Sequence, residues 1–187
     1  MNIFIKHTGV TVTIWLLLLG GTNAFAQQSL PVDAETKLIT YTAVVTTEGL
    51  TKEQLYDKAF TWLMGYYKNP SDVLREKDRE TGTMLLKARF KIFNPTDKKN
   101  DVITPAGDVQ YSLKLEFRNG RCRYKLTEIN WKQPSYYAIE RWQDKTQQSY
   151  QPNYDYYLKQ TDENCKKIAA DFTKAITAVK EVKKDEW

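Results

Sequence analysis

The chain has few of the residues that most often carry chemistry. Among 187 residues there are one histidine and two cysteines. The histidine, His7, lies in an N-terminal stretch that reads as an export signal. Lys6 and His7 form a short polar start, Val10 to Leu19 is an apolar run, and Ala24-Phe25-Ala26 closes it with a small-x-small end. Residues 1–26 are therefore expected to be a secretory signal peptide, cleaved before Gln27. The apolar run is about half the roughly 20 residues that a membrane-crossing helix needs, so no transmembrane segment is expected after signal removal. The residue immediately after the expected cleavage point is Gln27, not cysteine, which argues against a lipid anchor. Residues 27–187 then hold no histidine at all. That excludes Ser-His-Asp and Cys-His catalysis and any His-ligated metal. The glycines after residue 26 (Gly49, Gly65, Gly82, Gly107 and Gly120) make no phosphate-cradling run, and no calcium-loop spacing occurs. The acids are scattered, with no pair singled out as the two carboxylates of a glycosidase. No catalytic residue, metal or cofactor is expected.

Charge is close to balanced, 28 Lys plus Arg against 23 Asp plus Glu. No long block of like charge and no repeat of 20–50 residues is present, so residues 30–183 are expected to form one α+β domain. Leu38 to Val45 alternates and is rich in Thr, Val and Tyr, which suits a strand with Ile39, Tyr41, Ala43 and Val45 on one face. Gly49 breaks it before Thr51-x-x-Gln54, a capping box. Leu55, Ala59, Trp62, Leu63 and Tyr66 then follow at helical spacing, predicting a helix over 52–67 that Asn69-Pro70 stops. Asp72 to Lys77 reads as a short, weakly specified strand, and Asp78 to Gly82 as a turn. Met84, Leu86, Ala88, Phe90 and Ile92 alternate with Lys87, Arg89 and Lys91. The polar stretch from Asn94 to Gly107 is a long hairpin loop.

The clearest local signal is Tyr111 to Thr127. Asn119-Gly120 is the pair a type I′ turn favours, since both central residues then need φ > 0. As a two-residue loop it pairs Phe117 with Cys122, Leu115 with Tyr124 and Leu113 with Leu126, and places Glu116 opposite Arg123 on the other face. Turn chemistry and apolar pattern agree on this register. After Thr127 the apolar phase shifts to Ile129 and Trp131, predicting a bulge near Glu128. A last helix is predicted over 162–183 from Cys165, Ile168, Phe172, Ile176 and Val179. The order is strand, helix, four strands, helix. One apolar face per strand and one apolar stripe per helix predict a five-stranded antiparallel sheet with both helices on one face and the other face open or only partly covered.

Several of these segments together resemble a known family. Leu30-Pro31-Val32-Asp33 leads into the first strand, Gly49-Leu50-Thr51-Lys52-Glu53-Gln54-Leu55-Tyr56 and Trp62-Leu63 follow, and Asp78 to Gly82 introduces the long strand. Over roughly residues 30–131 the chain resembles the exported bacterial domain-of-unknown-function family with a TATA-binding-protein-like (TBP-like) fold. The resemblance implies that fold. The family has no established activity, so it supplies no catalytic residues, and a fold name is not a function.

Two surfaces and one residue pair stand out. On the open sheet face the registers place Lys87, Arg89, Lys91, Lys114, Arg118, Arg121, Arg123 and Lys125 against Glu116, a surface suited to phosphate or carboxylate groups. An antiparallel sheet with one wet face also needs polar side chains there, and Lys and Arg discourage edge pairing. Residues 132–160 form a Tyr-rich connection with Tyr136, Tyr137, Trp142, Tyr150, Tyr154, Tyr156 and Tyr157. Such rings either offer stacking surface for a sugar or protein, or fold over the domain and finish its core. Cys122 and Cys165 both face inward, where they either bridge in an oxidising compartment or remain two small buried hydrophobes.

The chain is thus expected to be exported, periplasmic or extracellular, and to act as a non-catalytic binding or scaffold domain of the cell envelope. The partner is an envelope protein, a glycan or an anionic lipid headgroup; export argues against nucleic acid. The alternative is a carboxylate-dependent hydrolase acting on envelope polymers, which needs a cleft holding a close acid pair.

Overall fold

The computed structural model describes residues 30–96 and 102–178. The expected signal peptide, its cleavage point and the end of the last helix at Lys183 lie outside these residues. The elements are β1 (Tyr41–Thr46), α1 (Lys52–Tyr66), the single turn α2 (Pro70–Val73), β2 (Leu74–Asp78), β3 (Thr83–Phe93), β4 (Pro105–Arg118), β5 (Arg121–Lys132), β6 (Tyr136–Ala138), a 3₁₀ turn at Ile139–Gln143 and α3 (Asn153–Thr177). The sheet is antiparallel in the order β1-β5-β4-β3-β2, and β6 pairs with β5. The four strands β2 to β5 meander, β1 lies beside β5, and α1 and α3 pack on one face, as the alternating pattern predicts.

Local chemistry explains the element ends. Thr51 Oγ1 accepts from the Gln54 N–H at 3.2 Å and Gln54 Oε1 accepts from the Thr51 N–H at 2.9 Å, so the capping box is closed. Pro70, with φ preset for a helix start, initiates α2 where the sequence predicts a strand from Asp72; β2 begins two residues later. The β4–β5 register is the expected one, with Phe117 opposite Cys122, Leu115 opposite Tyr124 and Leu113 opposite Leu126. Its turn is not type I′: φ is positive at Gly120 (+75°) and not at Asn119. Asn119 is engaged elsewhere, because its Oδ1 accepts from the Lys52 N–H at 2.8 Å. The predicted bulge is present. Ser112 pairs with Thr127 and Gln110 with Asn130, so Glu128 (φ +53°) and Ile129 share the space opposite Tyr111.

The core lies between the sheet and α1 plus α3. Leu55, Ala59 and Leu63 of α1, Met84, Leu86 and Ile92 of β3, Leu113, Leu115 and Phe117 of β4, and Cys165, Ile168 and Phe172 of α3 are all buried. Ala43, expected on the buried face, is exposed because β1 is an edge strand.

The largest departure is α3, which starts at Asn153 rather than at Asp162 and ends at Thr177. Its inward stripe begins with Tyr154, Tyr157, Leu158 and Thr161, residues whose mixed polarity hides the period. The Tyr-rich connection is therefore mostly structure. Trp142, Tyr154 and Tyr157, expected among ligand-binding rings, are buried instead. Trp142 stacks on Tyr154 with centroids 5.4 Å apart and meets Trp131 edge-on at 5.4 Å. Such pairs add about 0.5–1.5 kcal/mol each beyond area burial. Tyr137 and Tyr150 are half-buried against the same core, while Tyr136 and Tyr156 are 60% and 39% exposed. The α3 helix is fastened to the end of β3 by Gln160, which accepts from the Phe93 N–H at 3.0 Å and donates to its carbonyl at 2.8 Å.

Cys122 and Cys165 are both buried and carry free thiols, with no bridge between them. Burial raises the Cys122 thiol to about 11, and burial together with Asp162 raises that of Cys165 as well. Burial thus favours the protonated thiol at both positions.

Candidate functional site

Side chains alternate across a strand, so the residues between the core positions of β3, β4 and β5 project from the face opposite the helices. That outer face carries all eight basic residues expected there. Three further acids join them and change its electrostatics. Lys91 lies 3.5 Å from Asp108 and Lys125 lies 3.3 Å from Asp33, while Lys114 (3.6 Å) and Arg123 share Glu116. Glu128 also reaches the face and accepts from Ser112 Oγ at 2.6 Å. The surface is therefore one of mixed sign, in place of the nearly uniform positive charge that strand register alone predicts. Asp33 escapes the pattern because it sits before β1, Asp108 because it lies at the mouth of the long loop, and Glu128 because it is the extra residue of the bulge.

Asp33 accepts from the backbone N–H groups of Thr36 (2.9 Å) and Glu35 (3.1 Å). Those two bonds, with smaller help from the Thr36 hydroxyl and Lys125, lower its carboxyl to about 2. Partial burial pushes the Glu116 carboxyl up, but Arg123 and Lys114 outweigh it and the net displacement is downward. Both acids are thus ionised counter-charges to the lysines and arginine beside them.

Around the β5 bulge the face is hollowed by about 570 Å³. The hollow is a trough that crosses the strands. Arg75 of β2 and Lys87 of β3 form one wall, Gln110 and Ser112 of β4 the floor, and Glu128 and Asn130 of β5 with Tyr136 and Glu140 the other wall. Glu140 Oε1 accepts from the Ile39 N–H at 2.8 Å, whereas its Oε2 has no partner among the described residues. Asn130 Nδ2 donates to the Glu128 carbonyl at 2.8 Å and Tyr136 hydroxyl to Gln110 Oε1 at 3.4 Å. Neither Arg75 nor Lys87 is paired with a carboxylate among the described residues.

A second, smaller hollow of about 270 Å³ lies toward the β4–β5 turn and is lined by Val44, Glu116, Arg118, Arg121, Cys122 and Arg123. The eight predicted basic residues thus divide. Lys87 enters the trough, Arg118, Arg121 and Arg123 ring the second hollow, Lys91, Lys114 and Lys125 are held by acids, and Arg89 is exposed without an ion pair among the described residues. Sequence reasoning missed Arg75, Gln110, Ser112, Glu128, Asn130 and Glu140. The phase shift after Thr127 was the one available signal, because a bulge re-aims a side chain. Among the described residues no group of three or more His, Cys, Asp or Glu stands close enough to hold a metal, and no helix is long and apolar enough to cross a membrane.

This strand order, with two long helices on one face and an open opposite face, defines a TBP-like α+β domain. The family model described as domain of unknown function (DUF4468) with TBP-like fold matches residues 41–132. Those residues form a domain of that family. It is similar in fold to a TBP-like protein from Parabacteroides distasonis, at 13% identity and a TM-score of 0.60, over 80% of this chain and 99% of that one. It is also similar to a DUF4468 family protein from Bacteroides ovatus, at 16% identity and a TM-score of 0.63, over 80% of this chain and 92% of that one. No curated protein matches the chain. Neither neighbour's name states an activity or a ligand.

Proposed function

We propose that the protein is an exported, non-catalytic binding module of the cell envelope whose outer sheet face holds an acidic glycan. The observation that carries this is the trough, the larger of the two hollows described above, in which cations on one wall face carboxylates on the other across amide and hydroxyl groups. A polyhydroxylated chain bearing carboxylates matches it group for group. Arg75 and Lys87 suit a sugar carboxylate, and Gln110, Ser112, Asn130 and Glu128 suit hydroxyls, while Glu140 Oε2 is itself buried behind the wall. The Tyr136 ring at the rim, 60% exposed, offers a face for a sugar ring. Export rests on the apolar run Val10–Leu19 and the Ala24-Phe25-Ala26 end; N-terminal sequencing of envelope-derived protein should begin at Gln27.

The test is calorimetric titration with a uronic acid oligosaccharide. The joint substitution Arg75→Gln and Lys87→Gln should weaken binding at least tenfold, and Glu140→Gln, which can still accept from Ile39, should weaken it less. Unchanged affinity in both variants overturns the reading. A second reading is favoured by Glu128 and Glu140 lining one hollow, namely carboxylate-dependent hydrolysis. Mass spectrometry of the same samples decides: intact oligosaccharide after prolonged incubation supports binding alone, and shortened products that disappear in Glu140→Gln establish the hydrolase.

A further inference from the structure

We infer that Arg118 and Arg121 form an oxyanion site that takes a phosphate group, separate from the trough and independent of the glycan reading. The two arginines are direct cross-strand partners on either side of the Asn119-Gly120 turn. Opposed like charges destabilise a hairpin, and the usual remedy is an acid beside them. Here the nearby acid, Glu116, is already taken by Arg123 and Lys114. Neither Arg118 nor Arg121 has an ion-pair partner among the described residues. Both line the same 270 Å³ hollow, with Arg123 on its wall.

The turn that carries them is also bolted down. The Thr47 N–H donates to the Gly120 carbonyl and the Gly120 N–H to the Leu50 carbonyl, each at 2.8 Å. Asn119 Oδ1 accepts from Lys52, and the Phe117 N–H donates to Gly82, both at 2.8 Å. A hairpin tip is ordinarily among the looser parts of a sheet. This one is fixed to the β1–α1 loop and to the turn before β3, so the two guanidinium groups project from a rigid base. Two unpaired forks on a fixed base, opening on a hollow, are preorganised for the oxygens of a tetrahedral anion. Lysine would supply the charge without the fork.

A phosphate monoester or diester can arrive free in solution or as a lipid headgroup, and the test separates them. Isotope-labelled protein is titrated with inorganic phosphate while the Arg Nε–H signals are followed. It is also sedimented with vesicles of phosphatidylcholine alone or with added phosphatidylglycerol. Saturable shifts at Arg118 and Arg121 are expected, with the affinity read at Arg123 of the same hollow reduced at least tenfold by the joint substitution Arg118→Gln and Arg121→Gln. Arg121→Lys should fall between, and Arg89→Gln, outside both hollows, should bind phosphate as the unaltered protein does. Co-sedimentation with phosphatidylglycerol vesicles that the Arg118→Gln, Arg121→Gln protein loses assigns the headgroup. Phosphate binding without co-sedimentation assigns a soluble ligand. The double variant should unfold at no lower temperature, since it removes a repulsion, which separates lost binding from lost fold. Shifts that never saturate, or equal affinity in the double variant, overturn the site.

Discussion

Asn119 and Lys52 are joined by a hydrogen bond, the Lys52 N–H donating to Asn119 Oδ1 at 2.8 Å. A residue chosen for a hairpin turn thus satisfies one of the otherwise unpaired N–H groups at the start of α1. The helix that covers one face of the sheet and the turn that ends the other are set by the same side chain. Asn119→Ala should cost about 1 kcal/mol, the usual loss of a capping acceptor, while Asn119→Asp should cost much less. Urea denaturation measures both, and equal stability of the two variants would contradict the cap.

Gln160 and Phe93 make a similar joint between α3 and β3, with both backbone groups of Phe93 paired to one side-chain amide. Gln160→Ala leaves a part-buried N–H and carbonyl without partners, at about 1–3 kcal/mol. Gln160→Glu keeps the acceptor and loses the donor, so its urea midpoint should fall between those of the unaltered protein and the alanine variant.

Gly107 and Gly49 separate steric from conformational cost. A Cβ at Gly107 (φ +131°) would lie 2.6 Å from Trp131 Nε1, whereas one at Gly49 (φ +77°) meets nothing within 4 Å. Gly49→Ala should cost only the left-handed backbone penalty, roughly 1–2 kcal/mol. Gly107→Ala should cost clearly more and should blue-shift or broaden the tryptophan emission as Trp131 is displaced from the Ala106 carbonyl it now donates to at 3.1 Å.

Asp33 adds a pH dependence with a defined sign. Its carboxyl falls from an ordinary 3.8 to about 2 on folding. The stability it contributes is therefore fully present above pH 4 and is lost as pH falls toward 2. Asp33→Asn should flatten the decline in unfolding midpoint between pH 4 and 2 and leave the higher-pH limb parallel to that of the unaltered protein. An unchanged acid limb would show that Asp33 is not the group responsible.

Both thiols should be inert in the folded state. Alkylation by iodoacetamide at pH 8 should be slow until denaturant is added, when both Cys122 and Cys165 react without prior reduction. Reaction only after a reductant would mean that they are bridged.

The parts of this fold legible in the sequence are those where two local signals agree. Thr51 and Gln54 announce a cap immediately before a helical stripe, and Asn119-Gly120 sets the register that Phe117, Leu115 and Leu113 also require. The first nine residues of α3 were illegible because Tyr154, Tyr157 and Thr161 bury polar-tipped side chains, which a period of purely apolar residues does not register. The type I′ expectation failed for a tertiary reason, since Asn119 is held by Lys52 from 67 positions away. The candidate site was half legible. Alternation placed Lys87 and the arginines on the open face, but the trough also needs Arg75, Glu128 and Glu140, which belong to a weak strand, a bulge and a 3₁₀ turn and carry no period.

The most direct test of the central claim, that the open sheet face is the binding surface, is amide chemical-shift mapping with a uronic acid oligosaccharide. The account predicts that the shifts concentrate at Arg75, Lys87, Gln110, Ser112, Asn130 and Glu140, with α1 and α3 silent. Shifts centred on the exposed side of α3, around Lys159, Glu163 and Lys174, would contradict it.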